Sequence, residues 1–265
     1  MDLDKMNHLD INRDSWDKRT KLHVNSDFYR HKDFLTGQTS LKEIELKLLG
    51  DLTGKKVLHL QCHFGQDSIS LARMGAIVTA VDLSPIAIEF AKKTALEMDV
   101  EVEFICSDIL SPNLLVGRAF DLVYATYGTI CWLPDLKPWA QLVNDKLSKD
   151  GQLLLIEFHP ILDIYDDEMQ NIRYSYFNVE PIKGATVGSY AEKSTDEIPY
   201  VVWNHPISDV LSSLLRNGLH IAHFEEYPFA PYPCFTGSVA NGKDRYVIER
   251  FGSKMPMCYS LIVRK

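Results

Sequence analysis

No stretch of this sequence is apolar for long enough to cross a bilayer. The opening residues, MDLDKMNHLDINRD, are polar and acidic and lack the apolar run of an export signal. No CxxC pair occurs. The cysteines, Cys62, Cys106, Cys131, Cys234 and Cys258, are widely spaced and odd in number, which argues against a disulfide framework and predicts buried thiols in a reducing cytoplasm. Basic residues are in the minority, 28 against 36 acidic, for a net charge of −8 with no long run of either sign. General nucleic-acid and anionic-membrane binders need a basic face, so neither nucleic acid nor membrane is an expected partner. There is no GxSxG elbow and no P-loop. His59 and His63 stand four apart but straddle a strand–turn junction, so no metal site is expected. Internal repeats and low-complexity tracts are also missing. These absences leave a soluble, cytoplasmic, globular protein, with a homodimer left open as its assembly.

What is present has a rhythm. Val57–Gln61, Ile77–Asp82, Val102–Cys106, Asp121–Ala125 and Gln152–Phe158 are short runs rich in Val, Ile and Leu, apolar on both faces. Central parallel strands look this way because helices cover both sides of their sheet. Between them lie helix signals. Gln66–Met74 stops at Gly75, Ser84-Pro85 supplies an N-cap and a first-turn proline, and Pro134–Leu147 is followed by a turn at Asp150-Gly151. The alternation predicts a doubly wound, Rossmann-like α/β fold with right-handed crossovers. Beyond Phe158 the pattern changes to a polar, tyrosine-rich insertion of strands and loops up to Trp203. A helix at Asp209–Asn217 and strands at Leu219–Phe224 and Cys258–Val263 follow. The sheet then has seven strands, mostly parallel, with an antiparallel last strand.

Four segments carry the chemistry: VLHLQCHFGQDSISLA, AVDLSPIAIEFAKK, FICSDIL and FDLVYATYGTICWLPD. In order and spacing they resemble the successive motifs of class I S-adenosylmethionine-dependent methyltransferases. HLQCHFG looks more specifically like a bacterial subgroup acting on small molecules, distantly similar to quinone methyltransferases. The resemblance implies S-adenosylmethionine as cofactor, a small-molecule acceptor, an N-terminal helical lid (1–50), and a methyltransferase domain (51–265) whose insertion (160–203) covers the active site. The family's first loop reads acid-x-Gly-x-Gly-x-Gly. Here His59, Gln61, His63 and Gly65 hold those places, so only the last glycine remains. A pyrophosphate would be crowded by Gln61 and His63, which weighs against a nicotinamide-dependent oxidoreductase. A non-catalytic S-adenosylmethionine-binding regulatory protein is the other alternative.

By this resemblance the cofactor lies against Gln61, His63, Gly65 and the helix start Gln66, Asp67 and Ser68. Asp67 or Ser68 is alternatively a helix N-cap. Asp82, with Leu83 beside it, ends the second strand and accepts from ribose hydroxyls. Ser107, Asp108 and Ile109 follow the third strand, with Asp108 accepting from the adenine amino group and Ile109 packing on the ring. Ala125 leaves the fourth strand beside the transferred methyl, and Tyr29 closes over the site with His23. Tyr127 and Trp132 wall the reaction space, or Trp132 anchors the loop from below. His159, after the fifth strand, and His205, before the last helix, are the candidate bases, because imidazole takes a proton near neutral pH. Glu157 is expected either buried and paired or facing the cleft. Aromatic stretches Tyr174–Phe177 and Tyr227–Phe235 either line a pocket or simply pack.

Overall fold

The computed structural model describes residues 7–177 and 180–265, which fall into two compact units. Expectations that touch residues 1–6, 178 and 179 lie outside the described residues. The first unit comprises Met1–Leu41, Asp51–Phe120 and Ile182–Val202. It holds α1 (His8–His23), α2 (His31–Leu35), β1 (Lys56–Leu60), α4 (Gln66–Arg73), β2 (Ile77–Asp82), α5 (Pro85–Glu97), β3 (Glu103–Cys106), β6 (Ile182–Val187) and β7 (Glu197–Val202). The second unit holds α3 (Glu43–Leu49), β4 (Phe120–Thr126), α6 (Leu136–Lys146), β5 (Leu147–Phe158), α7 (Ile207–Arg216), β8 (His220–Tyr227), β9 (Ser238–Ala240), β10 (Tyr246–Ile248) and β11 (Cys258–Arg264).

The seven-stranded sheet contributes β3-β2-β1 to the first unit and β4-β5-β11-β8 to the second. β1, β2 and β3 are parallel, and β11 runs antiparallel to both β5 and β8. Val57, Leu58 and Leu60 of β1 and Leu153, Leu154, Leu155 and Ile156 of β5 are fully buried. Consecutive buried residues face opposite sides of a strand, so both faces of the sheet are covered. Each such side chain contributes ~1.5–3 kcal/mol on leaving water.

The helix signals were read correctly where they are local. Ser84 caps α5, its Oγ accepting from Ala87 N at 3.0 Å, with Pro85 in the first turn. Two expectations need correction. Gly65, in a left-handed conformation, is the N-cap of α4, so neither Asp67 nor Ser68 caps it. β5 begins at Leu147 and runs straight through Asp150-Gly151, where a turn was expected. Residues 227–252 contain the small β9–β10 hairpin, which no alternation announced.

The insertion folds as the antiparallel β6–β7 hairpin, and α1 packs on it. Asn12 Nδ2 donates to Val201 O at 2.8 Å and Asn12 Oδ1 accepts from Val201 N at 2.9 Å, so one buried amide pairs like a neighbouring strand. Residues up to Leu41 group with the hairpin, and Lys42–Gly50 with the second unit.

Candidate cofactor site and candidate acceptor site

The first unit gathers most of the expected cofactor residues at the carboxyl ends of β1, β2 and β3. After β1 the chain turns through Gln61 (φ 53°), His63 (φ 52°) and Gly65 (φ 81°), all left-handed. Two of these are not glycine and carry roughly 1–2 kcal/mol of backbone strain each. Gly65 has no such latitude, because a Cβ there would meet Phe104 at 2.7 Å and Ala91 at 2.8 Å. Cys62 N donates to Val81 O at 3.0 Å, and His63 N donates to Asp82 Oδ2 at 2.7 Å. The turn is thus sewn to the end of β2.

Asp82 also accepts from Ser84 N, at 2.9 Å on Oδ1. Burial pushes its carboxyl up to about 6 despite these donors. Ser107 N donates to Asp82 O at 2.9 Å, which carries the β2–β3 pairing to the strand ends and sets Asp108 on the same edge. Asp108 Oδ1 accepts from Leu110 N at 3.0 Å, and Ile109 is buried. Ser107 Oγ donates to Asp108 O, and Leu83 O accepts from the Cys106 thiol.

Ser68 is fully buried and its Oγ meets His59 Nδ1 at 2.8 Å, so its hydroxyl is committed to β1 and not to a ligand. Gln66 Nε2 donates to Tyr29 O at 3.2 Å, tying the helix start to the leading segment. Tyr29 in turn joins Trp16, His23 and His63 in an aromatic cluster over the turn. Sequence reasoning missed Asp17, whose Oδ1 accepts from Ser84 Oγ at 2.5 Å and Ile86 N at 3.3 Å. Its distance of 67 residues along the chain leaves no local signal.

The second unit holds Ala125, Tyr127, His159 and His205. Ala125 is fully buried within β4. Tyr127, left-handed at φ 51°, donates its hydroxyl to Glu45 Oε2 at 2.7 Å. Burial, reinforced by Glu45, holds the phenol well above its usual range. Tyr127 is therefore a neutral wall and not a proton acceptor, flanked by Phe158 and Tyr232. Glu157 is buried and accepts from the backbone N–H groups of Gly128 (2.5 Å), Thr129 (2.7 Å) and Ile130 (3.0 Å). Trp132 Nε1 donates to Gly128 O at 2.9 Å, anchoring the same loop.

His159 does not stand ready as a base. Its Nδ1 accepts from Ile161 N at 3.1 Å, so Nε2 carries the proton and donates to Glu226 Oε1 at 2.9 Å. Both nitrogens are spent on structure. His205 differs. Its Nε2 donates to Leu133 O at 2.8 Å, and the Ile130 backbone is a second partner of the ring. Burial lowers its pKa. The ring lines a cavity of about 400 Å³ with Pro134, Asp135, Lys137, Trp203 and Asp209. Of the aromatic stretches, Tyr232 and Phe235 pack on Tyr127 and Phe158, whereas Phe177 is 73% exposed and lines nothing enclosed. Among the described residues no cluster of three or more His, Cys, Asp or Glu is arranged to hold a metal, and no helix is long and apolar enough to cross a membrane.

Residues 57–151 match the family described as "Methyltransferase domain". The mitochondrial ubiquinone biosynthesis O-methyltransferase of Schizosaccharomyces pombe is 60% identical over 43 residues, 16% of this chain and 16% of that protein. The magnesium-protoporphyrin O-methyltransferase of Rhodobacter capsulatus is 37% identical over 103 residues, 38% of this chain and 45% of that protein. The chain thus matches less than half the length of either curated relative. An S-adenosylmethionine-dependent methyltransferase of Clostridium acetobutylicum has the same fold at a TM-score of 0.56 and 16% identity, covering 97% of this chain and 99% of that one. Residues 57–151 thus match a methyltransferase-domain family, and the chain shares the Rossmann-like fold of solved S-adenosylmethionine-dependent methyltransferases.

Proposed function

We propose that this chain transfers a methyl group from S-adenosylmethionine to a small-molecule acceptor, with oxygen as the methylated atom. The observation that carries the reading is the turn after β1. Its three left-handed residues keep the backbone path for which the family uses glycine, although Gln61 and His63 stand in two of the places. The choice of oxygen rests on the two curated relatives, both O-methyltransferases by name.

The residues fit the cofactor. Asp82, held by backbone donors at the end of β2, would accept from the ribose hydroxyls, and Asp108, held through Oδ1 by Leu110 N, would accept from the adenine amino group. Ile109, buried beside Asp108, would pack against the ring, and the first turn of α4 would offer N–H groups to the carboxylate. When bound, S-adenosylmethionine supplies an electrophilic methyl group on a sulfonium. The protein's share is alignment and exclusion of water, since in-line displacement needs no covalent help. An acceptor hydroxyl must also lose its proton, and the His205 imidazole, on the lining of the cavity, is the base offered for it. Tyr127, Phe158 and Tyr232 form an apolar wall suited to a transition state in which charge disappears.

Calorimetry with S-adenosylhomocysteine, followed by transfer of a labelled methyl from S-adenosylmethionine to a panel of small phenols and hydroxy acids, tests the reading. Binding with transfer supports it. Binding with no transfer to any acceptor favours the regulatory alternative, and no binding overturns both.

A further inference from the structure

The second unit's cavity of about 400 Å³ falls within the span of small-molecule sites, roughly 300–1,000 Å³. Its walls come from three places. α7 lines it with Asp209, Ser212, Ser213 and Arg216, whose helical spacing puts them on one stripe of the helix. Val210 and Leu214, away from that stripe, are buried. The start of α6 brings Asp135 and Lys137, and Asp135 Oδ1 accepts from Lys137 N at 2.8 Å as the helix N-cap. Trp203, Asn204 and His205 supply the third side.

Asn204 is only 6% exposed. Its Nδ2 donates to Asp163 O and to Ser175 O, both at 3.4 Å, which fixes the orientation of the amide. Among the described residues nothing donates to its Oδ1, so a buried residue offers this cavity an unmatched acceptor. Native folds seldom leave such groups unmatched, and those they leave call for an explanation. Among the described residues, neither the Lys137 ammonium nor the Arg216 guanidinium has an ion pair. Burial lowers the pKa of His205 and keeps it neutral, so two acids and two bases leave the lining without net charge. A ligand's ammonium or carboxylate would meet as much repulsion as attraction there. A hydroxyl both donates and accepts, and several hydroxyls on one molecule match a lining that mixes donors with acceptors. Trp203 is the largest apolar side chain of the lining, a surface for the C–H face of a ring.

We propose that this cavity takes a neutral, polyhydroxylated acceptor, of the chemical class of a monosaccharide or its glycoside, held by Asn204, Asp209 and Arg216. This assignment rests on the proposed function and names its substrate class. One hydroxyl oxygen forms the new bond to the methyl carbon as the carbon–sulfur bond breaks, its electron pair staying on sulfur. The hydroxyl proton passes to the His205 imidazole, and the acceptor leaves as a methyl ether.

Ligand-observed NMR titration of the full chain, saturated with S-adenosylhomocysteine, tests the assignment. The probes are the methyl glycosides of glucose, galactose, mannose and rhamnose, set against 4-hydroxybenzoate as an anion and tyramine as a cation. At least one glycoside should bind about tenfold or more tighter than either charged probe, and should receive a labelled methyl from S-adenosylmethionine. Asp209 and Arg216 are exposed, so their alanine variants keep the fold. Asp209→Ala and Arg216→Ala should each weaken that glycoside by about fivefold to tenfold, with S-adenosylhomocysteine affinity within about twofold of wild type. A charged probe binding as tightly as every glycoside, a bound glycoside that receives no methyl, or unchanged glycoside affinity in both variants overturns the assignment alone. No binding of S-adenosylhomocysteine overturns the proposed function with it.

Discussion

Asp82 and His63 are joined by a 2.7 Å hydrogen bond from the backbone N–H of His63 to Oδ2 of Asp82, so the acid expected to hold ribose also holds the turn expected to lie against the cofactor. Its carboxyl is pushed up to about 6 by burial. A raised folded-state pKa means that the fold favours the protonated acid. The linked stabilisation is complete below about pH 4 and is lost as pH rises through about 6, on the order of 3 kcal/mol in all. Asp82→Asn should remove that loss, so that its urea midpoint relative to wild type improves from about pH 4 to about pH 7. S-adenosylhomocysteine needs the ionised acceptor, and wild-type affinity should therefore fall as pH drops below about 6. A pH-independent affinity would remove Asp82 from the ribose contact.

The turn after β1 gives a pair of predictions of opposite sign. Gly65→Ala adds a methyl against Phe104 and Ala91 in a left-handed conformation, and should cost about 2–4 kcal/mol. Gln61→Gly relieves a strained φ of 53° and should gain about 0.5–1 kcal/mol. Equilibrium urea unfolding reads both. A destabilised Gln61→Gly would mean that the side chain's contacts outweigh its backbone strain.

Glu157 collects three backbone N–H groups from the loop that follows Tyr127. Glu157→Ala strands those buried donors and should cost about 3–5 kcal/mol. Glu157→Gln keeps one acceptor oxygen and should cost less. Hydrogen exchange at Gly128, Thr129 and Ile130 should accelerate in both, most in the alanine variant. Unchanged exchange at those amides would show that the loop is held by other contacts.

Much of the sheet was legible because its signals are local. Each of β1, β2, β3, β4 and β5 is an apolar run of a few residues, and Ser84-Pro85 announces α5 within two positions. The β5 start was not legible, because Asp150-Gly151 has turn composition and only strand pairing overrides it. Motif spacing put Asp82 and Asp108 at the ends of β2 and β3, because it reports position along the chain and hence strand ends. Glu45, partner of Tyr127 across 82 residues, and Arg19, partner of Thr186 across 167, were not found. Such contacts are made by tertiary packing and leave no periodicity behind. The two histidines looked alike in sequence, each followed by proline, and only their hydrogen bonds separate them.

That separation decides where the proton goes. His159 spends Nδ1 on Ile161 N and Nε2 on Glu226, so accepting a substrate proton would break a bond it already makes. His205 is held by backbone alone, Nε2 on Leu133 O with the Ile130 backbone beside the ring, and faces a cavity of about 400 Å³. Burial lowers its pKa below 6.5, so the base form dominates at neutral pH. With an acceptor identified, kcat should rise with pH on an acid limb below about 6.5 and stay flat above it, as a neutral imidazole base requires. His205→Gln should abolish that limb and lower kcat by about 10²–10⁴-fold, while S-adenosylhomocysteine affinity stays near wild type. His159→Asn should do the reverse. It should lose stability by about 1–3 kcal/mol through the buried Ile161 N–H left unmatched, yet turn over normally per folded molecule. If His159→Asn loses turnover at full stability while His205→Gln keeps it, the base sits after β5, and the bonds His159 makes here must exchange when the acceptor binds.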